Sequence, residues 1–348
     1  MKVITLVNLP DNFRIGLDGK FRIKLFNDCI RKLGNSKVLA KELGYARKTI
    51  EGLRRGYNSD GRNKKVKRYI KVKTLRKLAK IVNVNLEKIE QYICEINSIG
   101  INLKIKLPIY ASPELANTIG HTFGDGHISN QSFQYYNKSM SLIKEVQINI
   151  KNIFGIDGKI IFHHGTYMLY FPGIIGKMLL LSGSILGNKN QKFIEIPIWV
   201  KNGSKKTKSS FLRALFDDEG SVKFKGYDRS IQFRLFKKKE LYRLHKKFFE
   251  DLCMLLLDIG IEPTKLRRIK TKDDSSIGIG FLISNNQNLK IFLKKINFTH
   301  PRKKQILEKA VKTYKQIQHH HRENYSESLK YSEVRINNKW IMPGVRER

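Results

Sequence analysis

Two stretches of the chain share one pattern, ELANTIGHTFGDGHIS at Glu114–Ser129 and SSFLRALFDDEGSV at Ser209–Val222. Each has the apolar spacing of a helix, ends in an acid followed by glycine, and continues into the alternating residues of a strand. Asp125 and Glu219 hold the same position in the two copies. An internal repeat of this kind predicts two halves with the same architecture.

The residues after each stretch match as well. A predicted strand pair leads into a helix that opens within Asn137–Lys144 in the first half and within Lys237–Tyr242 in the second. Further strand pairs are predicted within Gly158–Phe171 and Lys265–Ser284. Each half follows the order helix, two strands, helix, two strands, helix, so we expect an α+β fold with two αββαββα repeats.

Small residues line one face of each acid-bearing helix, which lets the two helices approach closely. A carboxylate at the C-terminal end of a helix opposes the helix dipole at a cost of about 0.3–1 kcal/mol, and two such carboxylates repel each other. A divalent cation between Asp125 and Glu219 would offset both costs, and oxygen ligands favour Mg²⁺. The glycine after each acid, Gly126 or Gly220, fits a left-handed helix cap. The small-residue positions are Ala116, Gly120 and Gly124 in the first half, matched by Ser210, Ala214 and Asp218 in the second.

The whole chain is strongly basic, with 68 Lys and Arg against 30 Asp and Glu among 348 residues and a formal net charge of +38. This excess is too large for an ordinary soluble enzyme and predicts a polyanionic partner, nucleic acid before a membrane surface. Apolar runs stay far below the roughly 18 residues of a membrane span, no secretory signal precedes Pro10, and the three cysteines form no C-x-x-C pair. We expect a cytoplasmic protein of a prokaryote or archaeon, associated with the nucleoid.

The N-terminal region predicts a helix-turn-helix within an all-α domain. Ser36 fits the N-cap of a first helix that Gly44 ends, and a second helix runs from Ala46 to Arg55. The stretch LAKELGYARKTIEGLRRG resembles the repressor-type (Cro/C1-like) helix-turn-helix. That resemblance implies major-groove contacts near the start of the second helix, by Arg47, Lys48 and Thr49. The alternative is an ordinary helical hairpin that packs on the larger domain.

A run of basic residues without an acid, residues 62–80, is inserted between the matching parts of this domain. Such a run is often only a solvated face. In a chain of this charge, contact with a phosphate backbone is the better interpretation. The predicted contacts are Lys64, Lys65, Lys67 and Arg68.

The paired acid-glycine helices resemble the LAGLIDADG family of homing endonucleases and related intron- or intein-encoded proteins. The nine matching residues are TIGHTFGDG at Thr118–Gly126 and LRALFDDEG at Leu212–Gly220, and the resemblance covers about residues 113–316. It implies a monomer whose pseudo-symmetric repeats form a DNA-binding saddle. It also implies Mg²⁺-dependent cleavage of both strands at a long asymmetric target, with Asp125 and Glu219 as metal-binding acids that each serve mainly one strand.

Other residues of the two motifs and their flanks take roles from this comparison. Lys138 and Lys237 are the candidate catalytic lysines, because a nearby cation stabilises the charge that develops on phosphate; the alternative is two solvated lysines that open helices. Asn137 is expected to orient water or contact DNA, and His127 to contact DNA. For three further residues we expect structural roles. His121 is expected to pack between helices, and Asp217 and Asp218 are expected to be solvated or to cap a helix.

Sequence recognition is expected from the strand faces, because a polar face over an apolar one fits a sheet laid into the major groove. The predicted inward set is Val222, Phe224, Ile231, Phe233 and Leu235. The predicted DNA-facing set is Lys223, Lys225, Gln232 and Arg234, with Ser132, Gln134 and Tyr136 as the first-half counterpart.

The predicted organisation has six segments: an N-terminal extension (1–20), the helix-turn-helix domain (21–96), a linker (97–112), the two repeats (113–200 and 201–318) and a polar C-terminal tail (319–348). The function predicted is site-specific cleavage of double-stranded DNA. Two alternatives stay open, a transcription regulator on an inactive scaffold and an RNA maturase that assists intron folding. The presence of both acids favours the nuclease over the regulator.

Overall fold

The structure is a computed structural model that describes residues 1–59, 65–98, 101–226, 228–270, 276–325, 334–336 and 339–341. Lys64 and the side chain of Lys65, two of the predicted DNA contacts, lie outside the described residues. Along the described part of the chain, no helix combines the length and apolar character that a membrane crossing takes.

The N-terminal region is mixed rather than all-α. Its elements are β1 (Lys2–Ile4), β2 (Arg14–Leu17), α1 (Gly19–Leu33), α2 (Ser36–Leu43), α3 (Arg47–Arg55), β3 (Tyr57–Ser59), β4 (Lys65–Lys67), β5 (Ile70–Lys71), α4 (Val72–Val82), α5 (Leu86–Glu90), β6 (Ile93–Ser98), β7 (Ile101–Leu103) and β8 (Ile109–Tyr110). Strands β5, β2, β6 and β7 form one antiparallel sheet in that order. The all-α prediction is wrong. These strands are short, and they are stabilised by buried pairs of residues that lie far apart in the sequence, such as Ile15 with Ile96.

The segment predicted to form a helix-turn-helix contains helices close to the predicted ones. Asn35, rather than Ser36, is the N-cap of α2, and its side chain accepts hydrogen bonds from the backbone N–H groups of Lys37 and Val38. Gly44 ends α2 in the left-handed conformation, as predicted. Strand β1 pairs with β8, so the predicted extension and the predicted linker meet in one small sheet.

The rest of the described chain contains two runs of elements in the same order. The first run is α6 (Pro113–Phe123), β9 (Gly126–Ile128), β10 (Ser132–Asn137), α7 (Met140–Phe154), β11 (Lys159–His163), β12 (Thr166–Pro172) and α8 (Gly173–Leu181). After the short α9 (Ile198–Lys201), the second run is α10 (Lys205–Glu219), β13 (Gly220–Lys225), β14 (Asp228–Lys238), α11 (Tyr242–Ile259), β15 (Arg267–Lys270), β16 (Ser276–Ile283) and α12 (Asn286–Lys295). Helix α13 (Pro301–Tyr325) and a small hairpin of β17 (Val334–Ile336) and β18 (Lys339–Ile341) follow.

Each run builds a four-stranded antiparallel sheet with the same strand order, β9-β10-β12-β11 in the first and β13-β14-β16-β15 in the second. Alternate residues of the central strands are buried, including Phe133 and Phe171 in one sheet and Phe233 and Phe281 in the other. The pseudo-symmetric relation between the halves and the DNA-binding saddle stay predictions.

Two predicted strand orientations are wrong. The prediction that Phe224 faces inward is wrong, since it is 39% exposed beside the turn of the β13–β14 hairpin, and the guanidinium of Arg229 lies 3.9 Å from its ring centroid. Ser132 was expected to face DNA, but it is buried beside the Ser129 turn, where the two hydroxyl groups lie 3.1 Å apart. In both cases the position next to a turn, rather than the alternation along the strand, decides the exposure.

Helices α6 and α10 pack against each other at the centre of the molecule. A Cβ atom added to Gly120 would lie 2.6 Å from the backbone oxygen of Phe211 and 2.7 Å from the Cβ of Ala214, so the contact leaves no room for a side chain. This is the close approach that the small residues predict. This close contact also fixes the relative position of the residues at the C-terminal ends of the two helices.

Candidate functional site

The two acids lie where the central helices end. Asp125 follows α6 by two residues, and Glu219 is the last residue of α10. The predicted left-handed caps are wrong, because Gly126 and Gly220 begin strands, and Gly220 has an extended backbone with φ −80° and ψ 154°. These glycines are required instead because there is no room for a side chain. A Cβ added to Gly126 would lie 2.8 Å from the Cα of Thr122, and one added to Gly220 would lie 2.6 Å from the backbone oxygen of Phe216.

Burial and a neighbouring acid raise the pKa values of both carboxyl groups. Desolvation, then the charges of Asp218 and Glu219, raises the pKa of Asp125 to about 7, although part of its side chain reaches solvent. Desolvation, then the charge of Asp218, raises the pKa of Glu219. Negative charge is therefore concentrated at a point where the protein stabilises it poorly.

A divalent cation fits this arrangement. Repelling carboxylates gain from a positive charge between them, and Mg²⁺ commonly takes one or two protein carboxylates and fills its remaining positions with water and phosphate oxygens. Asp125 and Glu219 are the residues that would hold it. Among the described residues, no group of three or more His, Cys, Asp or Glu side chains is arranged to hold a metal ion.

The side chain of a third acid, Asp218, is fully buried between the two helices. It accepts hydrogen bonds from the hydroxyl of Tyr135 at 2.7 Å and from the backbone N–H of Asp125 at 3.1 Å. Its carboxylate fills the space beside Gly124, where an added Cβ would lie 2.3 Å from Oδ2. The solvated reading of Asp218 is wrong, because the glycine at the equivalent position of the other helix makes a buried site for it.

His121 is the partner that neutralises Asp218. Its Nδ1 lies 3.0 Å from Asp218 Oδ2, and its Nε2 lies 3.5 Å from Glu145 Oε2. Burial alone would lower the pKa of His121, but the charge and hydrogen bond of Asp218, with those of Glu145, raise it to about 10. The two carboxylates favour the charged form of the ring, which lies in the packing position expected for it.

Asp217 also avoids solvent. It accepts hydrogen bonds at 2.9 Å from the backbone N–H groups of Thr299 and His300, just before α13. Burial raises its pKa to about 6, against the lowering effect of those bonds. The solvated role predicted for Asp217 is therefore wrong, because its carboxylate binds the connector that leads into α13.

The two predicted catalytic lysines differ in their surroundings. Lys237 is buried in β14, and its Nζ donates to the backbone oxygen of Lys189 at 2.5 Å. Burial, then the charge of Lys189, lowers its pKa to about 8, and Glu219 acts in the opposite direction. Lys138 is exposed beyond the end of β10, and it is the side chain of Asn137 that donates to Asp125 Oδ2 at 2.9 Å. The difference arises because β14 continues one residue past Lys237, whereas β10 ends at Asn137.

Two lysines at the site were missed in the sequence. Lys189 Nζ donates to the backbone oxygens of Gly126 at 2.7 Å, of Thr122 at 3.2 Å and of Gly124. Lys303 Nζ donates to those of Asp217 at 2.5 Å and Phe216 at 3.3 Å. Neither lysine lies in a recognisable sequence motif. Among so many basic residues, the one signal that could have marked them as site residues is that each follows the end of the preceding helix by the same number of residues.

Most predicted DNA-contacting side chains are accessible. On the sheets, His127, Lys225 and Arg234 are exposed, Tyr136 is 40% exposed, and Gln134, Lys223 and Gln232 are partly exposed. Arg47 and Lys48 are exposed in the first turn of α3, with Thr49 partly exposed. Arg68 is exposed, and Lys67, also exposed, is ion-paired with Glu95 at 2.5 Å.

Comparison with known proteins identifies a LAGLIDADG-like domain in residues 206–297. Glutamine–fructose-6-phosphate aminotransferase (isomerizing) of Methanocaldococcus jannaschii is 26% identical over 283 residues, which is 78% of this chain and 24% of that protein. The tRNA-splicing ligase RtcB of Methanopyrus kandleri is 26% identical over 215 residues, 55% of this chain and 21% of that protein. The chain thus spans about a quarter or less of the length of these relatives.

A solved structure of mesophilic variants of the homing endonuclease I-DmoI is similar to this chain at 14% sequence identity, with a TM-score of 0.36. The similarity covers 53% of this chain and 91% of that one.

Proposed function

We propose that this chain is a divalent-metal-dependent endonuclease of the homing type, which cuts both strands of double-stranded DNA at a long asymmetric target. The observation that carries the proposal is the pair Asp125 and Glu219, held at the ends of two tightly packed helices where burial and the charge of Asp218 raise the pKa of both carboxyl groups. In a basic protein that binds nucleic acid, these carboxylates would repel phosphate unless a cation lay between them. Holding metal ions against phosphate is therefore the role that fits them.

The chemistry supplied by bound Mg²⁺ is activation of water and neutralisation of charge on the phosphate and the leaving oxygen. Asp125 and Glu219 would hold the metal, each mainly for one strand. Asn137 orients the Asp125 carboxylate through its hydrogen bond. Lys237, buried beside Glu219, places a positive charge where negative charge develops on the phosphate. In the first half, the exposed Lys138 is the weaker candidate for a catalytic lysine, and we propose that it contacts phosphate.

The proposed DNA interface uses the open faces of the two sheets and the start of α3. The second sheet contributes mostly charged groups, while the first contributes a less basic set, so the two halves of the target would be read differently. The phosphate contacts from α3 and the basic segment add affinity without base selection. The proposed contacts are Lys223, Lys225, Gln232, Arg234, His127, Gln134, Tyr136, Arg47, Lys48, Thr49, Lys67 and Arg68, together with Lys64 and Lys65.

The two relatives support a mobile, intron- or intein-associated origin. By their names they carry unrelated activities, an aminotransferase and an RNA ligase, yet both match this chain over a limited share of their length. A segment shared by otherwise unrelated proteins is favoured to be a separable unit. Because one chain carries both acids, we propose that it acts as a monomer.

Replacing either acid tests the proposal. We expect Asp125→Asn and Glu219→Gln to abolish cleavage and to leave DNA affinity within about tenfold, a change of about 1.4 kcal/mol, because the acids hold metal rather than DNA. Cleavage selection on a randomised DNA library with Mg²⁺ supplies the target, and gel shifts in Ca²⁺ report binding. The matched control is Asp157→Asn, an exposed acid paired with Lys151 at 2.9 Å, which should cut normally.

The outcomes separate the competing functions. Cleavage retained in both acid variants would contradict the mechanism. Specific DNA binding without cleavage by the wild type would favour the transcription regulator. Binding of intron RNA that survives Asp125→Asn, with no DNA cleavage, would favour the maturase.

A further inference from the structure

A row of three apolar or aromatic side chains crosses the open face of the first sheet. Tyr136 of β10 pairs with Met168 of β12, which in turn pairs with Ile161 of β11. The adjacent pair on the two central strands, Tyr135 and Leu169, is buried on the other face. Because side chains alternate between the two faces of a strand, the three residues share the open face, and each is at least partly exposed. We call them the apolar row.

The second sheet has a row of different chemistry. Arg234 of β14 pairs with Gly280 of β16, which in turn pairs with Arg267 of β15. Both arginines are exposed, and neither forms an ion pair with a described residue. A Cβ added to Gly280 would lie 2.8 Å from the backbone oxygen of Phe233, so a third side chain does not fit between them. We call these three residues the arginine row.

The two rows hold equivalent positions in the two halves. The glycine that ends each nine-residue motif pairs with Tyr135 in the first sheet and with Phe233 in the second, and each row begins at the next residue, Tyr136 or Arg234. The backbone N–H of Tyr136 donates to the backbone oxygen of Asp125 at 3.4 Å, so the apolar row begins beside an acid. One place in the fold is therefore apolar in the first half and carries two positive charges in the second.

These two kinds of side chain recognise different base pairs in a major groove. Arginine donates two hydrogen bonds to O6 and N7 of guanine, whereas apolar side chains contact the 5-methyl group of thymine. Met168 and Ile161 have no hydrogen-bond donor, and the hydroxyl of Tyr136 already donates to Gln134 Oε1 at 2.7 Å. The apolar row therefore offers a base edge contact area, while the arginine row offers it donors.

We propose that the apolar row reads a thymine in one half of the target and that the arginine row reads a guanine at the matched position of the other half. This assignment rests on the proposed function, because it requires the open faces of the sheets to lie against double-stranded DNA. It does not require cleavage. Binding measurements therefore test it separately from the chemistry.

Selection of bound sites from a randomised double-stranded DNA library tests the assignment, with the full chain in Ca²⁺. We expect the wild type to select a thymine and a guanine at positions equally far from the centre of the site, in opposite halves. Ile161→Ser makes the apolar row more polar and should lose the thymine preference while keeping the guanine preference. Arg267→Met removes a guanidinium and should do the reverse.

Base analogues test the same two contacts in the selected site. Uracil differs from thymine only by the missing 5-methyl group, and 7-deazaguanine lacks the N7 acceptor. At the assigned positions we expect uracil to weaken wild-type binding about fourfold, the effect of one buried methyl group, and 7-deazaguanine to weaken it at least about fivefold. Ile161→Ser should bind the thymine and uracil sites equally, and Arg267→Met should not distinguish guanine from 7-deazaguanine.

The edge strands offer a control beside each variant, on the opposite face of the sheet. Ile160 precedes Ile161 and is 36% exposed. Arg268 follows Arg267, is exposed, and has its guanidinium 5.4 Å from the ring centroid of Tyr242. Ile160→Ser and Arg268→Met make the same chemical changes and should keep both base preferences of the wild type.

Two results would overturn the proposal: selection of the same base at both matched positions, or base preferences that Ile161→Ser and Arg267→Met leave unchanged. If a variant does not fold, the two analogues with the wild type decide the question alone, and equal binding of both analogue sites and the natural site would contradict the assignment. A wild type that binds no DNA would refute the proposed function as well. A wild type that cuts a defined site without these two preferences would refute only the assignment of the rows.

Discussion

At the scale of single residues, the centre depends on the buried ion pair of His121 with Asp218. We expect Asp218→Asn to lower the free energy of unfolding by about 3–5 kcal/mol near neutral pH, because it leaves a buried charge without its partner. The pKa of His121 is raised in the folded state to about 10, so its contribution is full below its ordinary pKa of about 6.5 and is lost as pH rises towards 10. Urea unfolding of the variant and the wild type at pH 6 and pH 10 should therefore differ most at pH 6.

The exposed acid Asp157 again supplies the comparison. Asp157→Asn breaks a surface pair with Lys151 and should cost less than about 1 kcal/mol at both pH values. A cost of Asp218→Asn that is equally small, or that does not shrink at high pH, would argue against a charged His121.

At the scale of elements, the contact between α6 and α10 depends on Gly120. We expect Gly120→Ala to destabilise the protein by about 1–3 kcal/mol, because the new methyl meets the backbone of α10 and cannot be accommodated by a side-chain rotation. Thermal or urea unfolding measures the change. Gly19→Ala is the matched control, since Gly19 begins α1 and an added Cβ would meet only the Arg22 guanidinium, at an ordinary contact distance of 3.8 Å. It should be neutral or slightly stabilising, and an equal loss in both variants would mean that helix contact is not the cause.

These elements also show how far the sequence leads. Periodicity and the repeat predict the helices and strands of both halves, because each depends on neighbours in the chain. The burial of Asp218 was missed because it needs Gly124 and His121 of the other helix, and the pairing of Ile15 with Ile96 was missed for the same reason. Contacts between residues far apart in the chain have no local pattern. Lys189 and Lys303 belong to this class.

At the scale of the whole molecule, we expect the N-terminal domain to add affinity without choosing the cut site. Arg47→Ala with Lys48→Ala should weaken DNA binding and reduce the slope of log K against log salt by up to about 1.8, since each lost phosphate contact accounts for about 0.9. The cut position should not move. Filter binding over a salt series measures the slope, and mapped cleavage products give the position.

The control for this pair removes the same charge from another face of the domain. Arg31 and Lys32 are exposed at the end of α1, and their double Ala variant should leave the slope nearly unchanged. Point variants are preferable to removing residues 1–96, because that deletion would divide β6 and remove the β1 partner of β8. A shifted cut in the Arg47 and Lys48 variant would contradict the proposed division of labour.

The absence of a side chain at Gly120, where α6 contacts α10, has a consequence for the products of the reaction. Where backbone touches backbone, the separation of the helices cannot be adjusted by a change of rotamer. Under the proposed function, the stagger between the two nicks is then a constant of the protein and does not depend on the target. Fragments cut from any accepted site would carry single-stranded overhangs of one length.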